Sequence, residues 1–241
     1  VSLSKGLEHE TLSTMTDIIS EEIDGQRLVA LSGPCIASEV ARGLPTTIVS
    51  ASHDHDAARA VQDAFMTPRF RVYTSDDPLG VQLGGALKNI IAIAAGINDG
   101  LGFGTNAKSA LITRGIVEMQ RFGAHLGARP ETFNGLSGIG DLITTCVSAY
   151  SRNRRLGEEL AKGKSLGLIL KEMVMVAEGA PTARSVYEFC RKHGIEAPIT
   201  EKVYGVLFQG LSPEGAVTEL MGRDRKPESK RGEFVSRIIS Q

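Results

Sequence analysis

Four short constellations in this chain carry residue types that do chemistry. The first is Lys88, with Asn89 beside it, inside the otherwise apolar stretch 83–97 (LGGALKNIIAIAAGI). An ammonium in apolar surroundings is disfavoured as a charge, so its pKa falls unless an anion lies near, and a lysine then becomes a usable acid or base. The alternative is a lysine that snorkels from a core helix to solvent. The second is GLSGIGDLITTC at 135–146, where glycines lead into Asp141 ahead of an apolar run. Asp141 either caps the helix that follows or faces a cavity and pairs with a cation such as Lys88.

The third constellation is Ser151-Arg152-Asn153-Arg154-Arg155. A planar guanidinium beside an Asn and a Ser matches phosphate oxygens, although a short basic run also serves as a solvated helix start. The fourth is Ser32-Gly33-Pro34-Cys35, a tight turn into a short helix at 37–41. Its backbone N–H groups can face an anion, or the Gly-Pro pair can simply close the turn. Two further patterns are read as structural. His53-Asp54-His55-Asp56 has metal-ligand residue types but is expected to be a turn with an N-cap. Gly100-Leu101-Gly102-Phe103-Gly104 follows a long helix, not a strand, and is expected to be an interhelical loop.

The elements that must position these residues fall into two rhythms. From 1 to 77, β-rich runs at 27–32, 46–52 and 70–74 alternate with helical patterns, among them Leu12, Met15, Ile18 and Ile19 and a helix over 56–67. Residues 1–4 begin as though already inside a strand. After 77 the pattern is helical, with helices expected at 79–97, 106–126, 154–161, 166–173, 180–193 and 200–209. On the first of these, Leu83, Leu87, Ile90, Ile91, Ala94 and Ile97 form a packing face, with Gly84, Lys88, Ala92 and Ala95 as an adjacent stripe. The expected fold is therefore an α/β remnant, the rear part of a Rossmann-type dinucleotide-binding sheet, followed by an all-α substrate domain. Three regions follow: 1–77, 78–226 and a loosely held tail over 227–241.

Composition narrows the function classes. The 241 residues are 41% hydrophobic, enough for a full core, and the net charge of −1 gives no reason to expect nucleic acid or an anionic membrane as partner. Cys35, Cys146 and Cys190 are too scattered for a disulfide framework or a metal cluster, which suggests a reducing, cytoplasmic setting. Residues 78–98 are long and apolar enough to tempt a membrane assignment. A lysine at their centre costs about 2.5–3.5 kcal/mol on insertion scales, so no transmembrane segment is expected.

Taken in order, LSGP with SEVARGLPT, the run FRVYTSDDPLGVQLGGALKNIIAIAAGINDGLGFGTNAKSALITRG, GLSGIGDLITTC, SRNRRLG and VAEGAPTA resemble the bacterial NAD(P)-dependent sn-glycerol-3-phosphate dehydrogenases from Ser4-Lys5-Gly6 to about Lys226. The resemblance implies hydride transfer between NAD or NADP and the pair dihydroxyacetone phosphate and sn-glycerol 3-phosphate, feeding glycerophospholipid synthesis. It places the catalytic lysine at Lys88 with Asn89, and its acidic partner at Asp141. Substrate contacts fall on Lys5, Gly33, Cys35, Thr145, Ser151, Arg152 and Asn153. Cofactor contacts fall on Lys5, Ala37, Arg152, Val176 and Glu178. Cys35 departs from the Ser or Thr usual there, and a thiol is the weaker hydrogen-bond partner. A homodimer is compatible with the resemblance.

A Rossmann site also needs a Gly-rich turn between its first strand and helix, and 1–77 has none. The resemblance puts that turn, and the residue that selects NAD over NADP, ahead of Val1. The chain by itself is therefore expected to bind nucleotide poorly and to be weakly active or inactive. Two other functions stay open at the level of sequence: a related reductase of another anionic ketone, and a non-catalytic folding or association module.

Overall fold

In the computed structural model the described residues are 1–173, 177–225 and 227–228. The front of the chain makes a three-stranded sheet from β1 (Ala30–Ser32), β2 (Thr46–Ala51) and β3 (Phe70–Ser75), in that order. Strands β1 and β2 are antiparallel and β2 and β3 parallel, with Ala30 opposite Ala51 and Thr46 opposite Phe70. The strand expected at the chain start is reduced to one parallel bridge. Ser2 N donates to Val29 O and Leu31 N to Ser2 O, both at 2.8 Å.

Helices flank and join these strands. Before the sheet, α1 (Met15–Glu22) opens with a capping box in which Thr14 and Asp17 satisfy each other's backbone. The short α2 (Ala37–Ala41) links β1 to β2, and α3 (His55–Phe65) links β2 to β3. The 53–56 segment is the expected cap: Asp54 accepts from the N–H groups of Asp56 and Ala57 at 3.0 Å. One sheet face packs Val29, Leu31, Ile48 and Val72 on Ala57 and Val61 of α3. The other sets Val49 and Ala51 against Val81.

That last residue belongs to α4 (Pro78–Gly100), the axis of the helical part. Asp77 caps it through Gly80 N at 3.0 Å, and its second oxygen takes Arg129 N at 3.1 Å and Thr132 Oγ1 at 2.6 Å. The expected packing face understates its role. Nearly every residue from Pro78 to Asn98 is buried, so neighbours cover α4 on all sides. By length and composition it could cross a membrane, yet 94% of its most apolar window is buried inside the protein.

Around α4 lie α5 (Gly104–His125), a 3-10 turn (Pro130–Asn134), a π-helical turn (Leu136–Gly140), α6 (Asp141–Val147) and α7 (Arg152–Ala161). They are followed by α8 (Leu166–Glu172), α9 (Gly179–His193), α10 (Pro198–Phe208) and α11 (Pro213–Met221). Residues 101–103 form the loop between α4 and α5, as expected, with Gly100 and Gly104 at the adjoining helix ends. Helix α11 has no counterpart in the sequence reading, because its short, Gly- and Thr-containing run buries only Ala216. Helix α10 starts on a buried carboxylate: Glu118 accepts from Ile199 N and Thr200 N at 2.8 Å and from Thr200 Oγ1.

The helical core also takes in part of the front segment. Leu12, in a left-handed conformation at φ 61°, is buried in it. Gln82 holds Thr16 by two hydrogen bonds.

Candidate active site

The sheet part and the helical part meet at a carboxylate shared by two lysines. Lys88 Nζ lies 2.5 Å from Asp141 Oδ1, and Lys5 Nζ lies 2.5 Å from Asp141 Oδ2. Lys5 also donates to Gly33 O at 3.1 Å. The side chains of Lys88 and Asp141 are only 8% and 3% exposed, so the lysine does not snorkel to water. Asp141, for its part, does not cap α6; Gly140 occupies that position and no side-chain cap bond is made.

Backbone geometry explains how the three meet. A Cβ on Gly84 would overlap Ser137 O, so the missing side chain lets the π-helical turn come against α4 and aims Asp141 at Lys88. Gly33, at φ 144°, would put a Cβ 3.0 Å from Ile48 Cα, so the β1 turn that meets Lys5 requires glycine. Thr145 Oγ1 donates to Asp141 O at 2.7 Å and lies 3.5 Å from its Oδ1, which places the hydroxyl beside the carboxylate.

The electrostatics of the two amines diverge. Burial, the larger influence, pulls Lys88 down to about 8 against the upward pull of Asp141, and the neighbouring Lys5 ammonium adds to the fall. Burial also works to lower Lys5, but Asp141 and Cys35 together hold it above its ordinary value. The site thus keeps Lys5 cationic and leaves Lys88 able to lose its proton near neutral pH. Cys146 and Cys190 are pushed up to about 12 by burial and supply no thiolate.

A second group of expected residues gathers one step along α4. Asn153 is buried in the first turn of α7, and its Oδ1 accepts from Gly179 N at 2.9 Å. A Cβ on Gly179 would lie 2.7 Å from that oxygen and 2.8 Å from Asn89 O, so α4, α7 and the start of α9 converge on this glycine. Ser151 Oγ caps α7 through Arg154 N at 3.2 Å, Arg152 is exposed beside it, and Glu178 is exposed at the N-cap of α9.

The remaining expected residues are more scattered. Cys35 is half-buried near Lys5, and Ala37 is exposed at the start of α2; both line a cavity of about 590 Å³ with Leu3, Val40 and Phe70. Val176 lies outside the described residues.

Sequence reading missed two features. One is the direct Lys5–Asp141 pair, because residues 136 positions apart share no local pattern. The other is Ser32 Oγ, the buried side-chain polar atom without a hydrogen-bond partner among the described residues; it lies 3.1 Å from where a Cβ on Gly85 would stand. A Ser closing a strand carries no sign of that placement. Among the described residues no group of His, Cys, Asp and Glu is disposed to hold a metal ion.

Comparison with known proteins bears on both parts. Residues 1–58 match the family described as NAD-dependent glycerol-3-phosphate dehydrogenase N-terminus, and residues 77–218 its C-terminus counterpart. Glycerol-3-phosphate dehydrogenases [NAD(P)+] of Salinibacter ruber and Desulfitobacterium hafniense are 52% and 53% identical over 95% of this chain. The chain spans 68% and 65% of those proteins, about two thirds of their length. A crystal structure of the Coxiella burnetii glycerol-3-phosphate dehydrogenase superposes with a TM-score of 0.87 at 39% identity, covering 92% of this chain and 68% of that one. The Saccharomyces cerevisiae enzyme gives 0.82 at 30% identity, covering 92% and 67%.

Proposed function

From the premise that this chain belongs to the NAD-dependent glycerol-3-phosphate dehydrogenase family, oxidoreductases that interconvert dihydroxyacetone phosphate and sn-glycerol 3-phosphate, we propose that Lys88 is its proton-transfer group. The observation that carries the proposal is the buried Lys5–Asp141–Lys88 cluster. A carboxylate shared by two ammonium groups leaves one positive charge uncompensated, which favours an anion or a developing alkoxide beside it.

The residues present suit a nicotinamide dinucleotide. Lys5 commits two of its three donors, to Gly33 O and Asp141, and keeps one for a ligand. Ser32 Oγ has no partner among the described residues, and Ala37 and Glu178 are exposed at helix starts. Lys5, Ala37, Glu178 and Arg152 would hold the cofactor, together with Val176. When bound, that cofactor supplies or accepts the hydride at C2 of the substrate.

The chain's own groups do the rest. In reduction, Lys88 gives its proton to the carbonyl oxygen of dihydroxyacetone phosphate as negative charge grows there; in oxidation it takes that proton back. Asp141 holds the ammonium in line, and Lys5 adds a fixed positive charge. Asn89 flanks Lys88, while Thr145, Gly33 and Cys35 border the substrate. Arg152, Asn153 and Ser151 take the phosphate. Because Asn153 Oδ1 is committed to Gly179 N, its NH₂ is the group that faces an anion. Binding energy from the non-reacting phosphate then orients the reacting carbon.

The division into a partial dinucleotide-binding region (1–77) and a helical catalytic region (78–226), ahead of a tail (227–241), is part of this proposal. The separate apolar clusters of the sheet and of the helices support it. A homodimer is proposed on the resemblance alone, and a cytoplasmic setting on the three scattered cysteines.

The test, made in a protein that spans the full length of those relatives and so carries the Gly-rich turn, is initial-rate reduction of dihydroxyacetone phosphate with NADH and NADPH, comparing wild type with Lys88→Ala and with dihydroxyacetone as substrate. Turnover is expected to fall by about 10²–10⁴ in the variant, the usual worth of a positioned acid, and the phosphorylated substrate is expected to be strongly preferred. A variant as fast as wild type, or indifference to the phosphate, overturns the reading.

A further inference from the structure

We propose that Asp99, at the far end of the helix that carries Lys88, is a positioning residue for the phosphate contacts, acting through Arg154. The inference rests on the reading of Arg152 and Asn153 as phosphate-binding residues and adds the element that fixes them in place.

Asp99 is the penultimate residue of α4, eleven positions after Lys88. Its carboxylate receives two cations. Arg154 Nε lies 2.6 Å from Oδ2, and Lys108 Nζ from α5 lies 2.6 Å from Oδ1. Arg154 continues to Glu158 Oε1 at 2.7 Å, one turn further along α7. Asp99, Lys108 and Arg154 are each less than a fifth exposed, so water screens these pairs less than it would on an open surface.

Arg154 immediately follows Arg152 and Asn153 on the first turn of α7. That turn is the only place where α7 presents the candidate phosphate donors, and its position depends on how α7 lies on α4. The two helices touch backbone to backbone. A Cβ on Gly96 would overlap Arg154 O, and one on Gly157 would overlap Ile93 O. Contact this close sets the distance between the helices, and the buried Leu156 and Leu160 pack α7 into the core one turn or more beyond Arg152 and Asn153. A guanidinium held at Nε by one carboxylate and at Nη2 by another fixes the first turn itself. In the same turn, the Asn153–Gly179 bond fixes α9 to these residues. Asp99 thus ties the phosphate end of the site to the same rigid helix that carries the reacting amine. The distance between Lys88 and the phosphate contacts then selects a substrate of fixed length.

The experiment is calorimetric titration of the full chain with sn-glycerol 3-phosphate, and with glycerol as the probe lacking phosphate. The proteins are wild type, Asp99→Asn, Arg154→Gln, the double variant, Lys108→Gln and Arg152→Ala. Asp99→Asn and Arg154→Gln are each expected to weaken glycerol 3-phosphate binding at least fivefold and to leave glycerol binding unchanged. The double variant is expected to bind no more weakly than either single one, because both act through one contact. Lys108→Gln, which breaks the other Asp99 pair without touching α7, is expected to stay within twofold of wild type. Arg154→Lys keeps the charge but loses the fork, and carries the same expectation should Asp99→Asn fail to fold.

Wild-type affinity in Asp99→Asn, additive losses in the double variant, or an equal loss in Lys108→Gln each overturn the proposal. An Arg152→Ala protein that binds glycerol 3-phosphate as wild type does sinks the phosphate reading itself, and this inference with it. Those two failures are therefore distinct.

Discussion

At the scale of single residues, the proposed chemistry depends on one carboxylate serving two amines. Lys88 is lowered from 10.5 to about 8, so the form that donates a proton is present below that pH and lost above it. Reduction of dihydroxyacetone phosphate should hold level up to about pH 8 and fall tenfold per unit beyond, while oxidation of glycerol 3-phosphate rises tenfold per unit up to about pH 8 and levels off above it. Initial rates in both directions check this, and a reduction rate that is flat through pH 10 removes Lys88 from the proton path. Stability carries the matching sign. The unfolded chain holds this proton up to 10.5 and the folded chain only to about 8, so Lys88 makes folding more favourable as pH rises through that window.

Asp141 is the carboxylate that both amines share, and its loss is therefore costly. Asp141→Asn leaves two poorly solvated ammonium groups with no anion between them, and removing one partner of a buried pair typically costs about 3–5 kcal/mol. Urea denaturation at pH 7 should show a loss of that order. The loss should shrink at pH 9, where Lys88 has shed its proton. A loss independent of pH would mean that charge is not the cause.

At the scale of elements, α4 does most of the positioning, and glycine is what lets its neighbours come close. Gly84 admits the turn that carries Asp141, and Gly96 and Gly157 admit α7. Gly157→Ala sets two effects against each other. Alanine favours an exposed helix interior by about 0.8–1 kcal/mol over glycine, but here its Cβ would overlap Ile93 O, a backbone atom that cannot turn aside. Overpacking of that kind costs about 1–3 kcal/mol, so the variant should be less stable, and glycerol 3-phosphate binding should weaken as α7 is pushed outward. A more stable variant would show that α4 and α7 are not held in this contact.

At the scale of the whole molecule, Lys5 is the charged link between the sheet and the candidate site, beside the apolar contact of Val49 and Ala51 with Val81. Its partners are Gly33 in the sheet part and Asp141 in the helical part. A bound substrate should therefore slow backbone hydrogen exchange on both sides, around Lys5 and Gly33 and across α6. In Lys5→Met the protection should persist in α6 and disappear from the sheet. Protection confined to α6 in the wild type as well would mean that the sheet does not contribute to the site.

The sequence by itself determined the alternation of strands and helices up to residue 77, the helical run after it, and most helix boundaries to within two residues. Hydrophobic period and caps are local, and each element announces its own. It also marked Lys88, Asp141, Arg152 and Asn153, because unusual residue types stood in informative surroundings and in a recognisable order. Helix α11 was lost for the opposite reason, a short run with almost no buried face.

What only the tertiary structure decided is which groups share which partner. Whether Asp141 caps a helix or binds a lysine, whether Lys88 reaches water, and whether Lys5 joins them are questions of contact between segments far apart in the chain. Burial and Coulomb energy depend on those distances, and no local pattern encodes them.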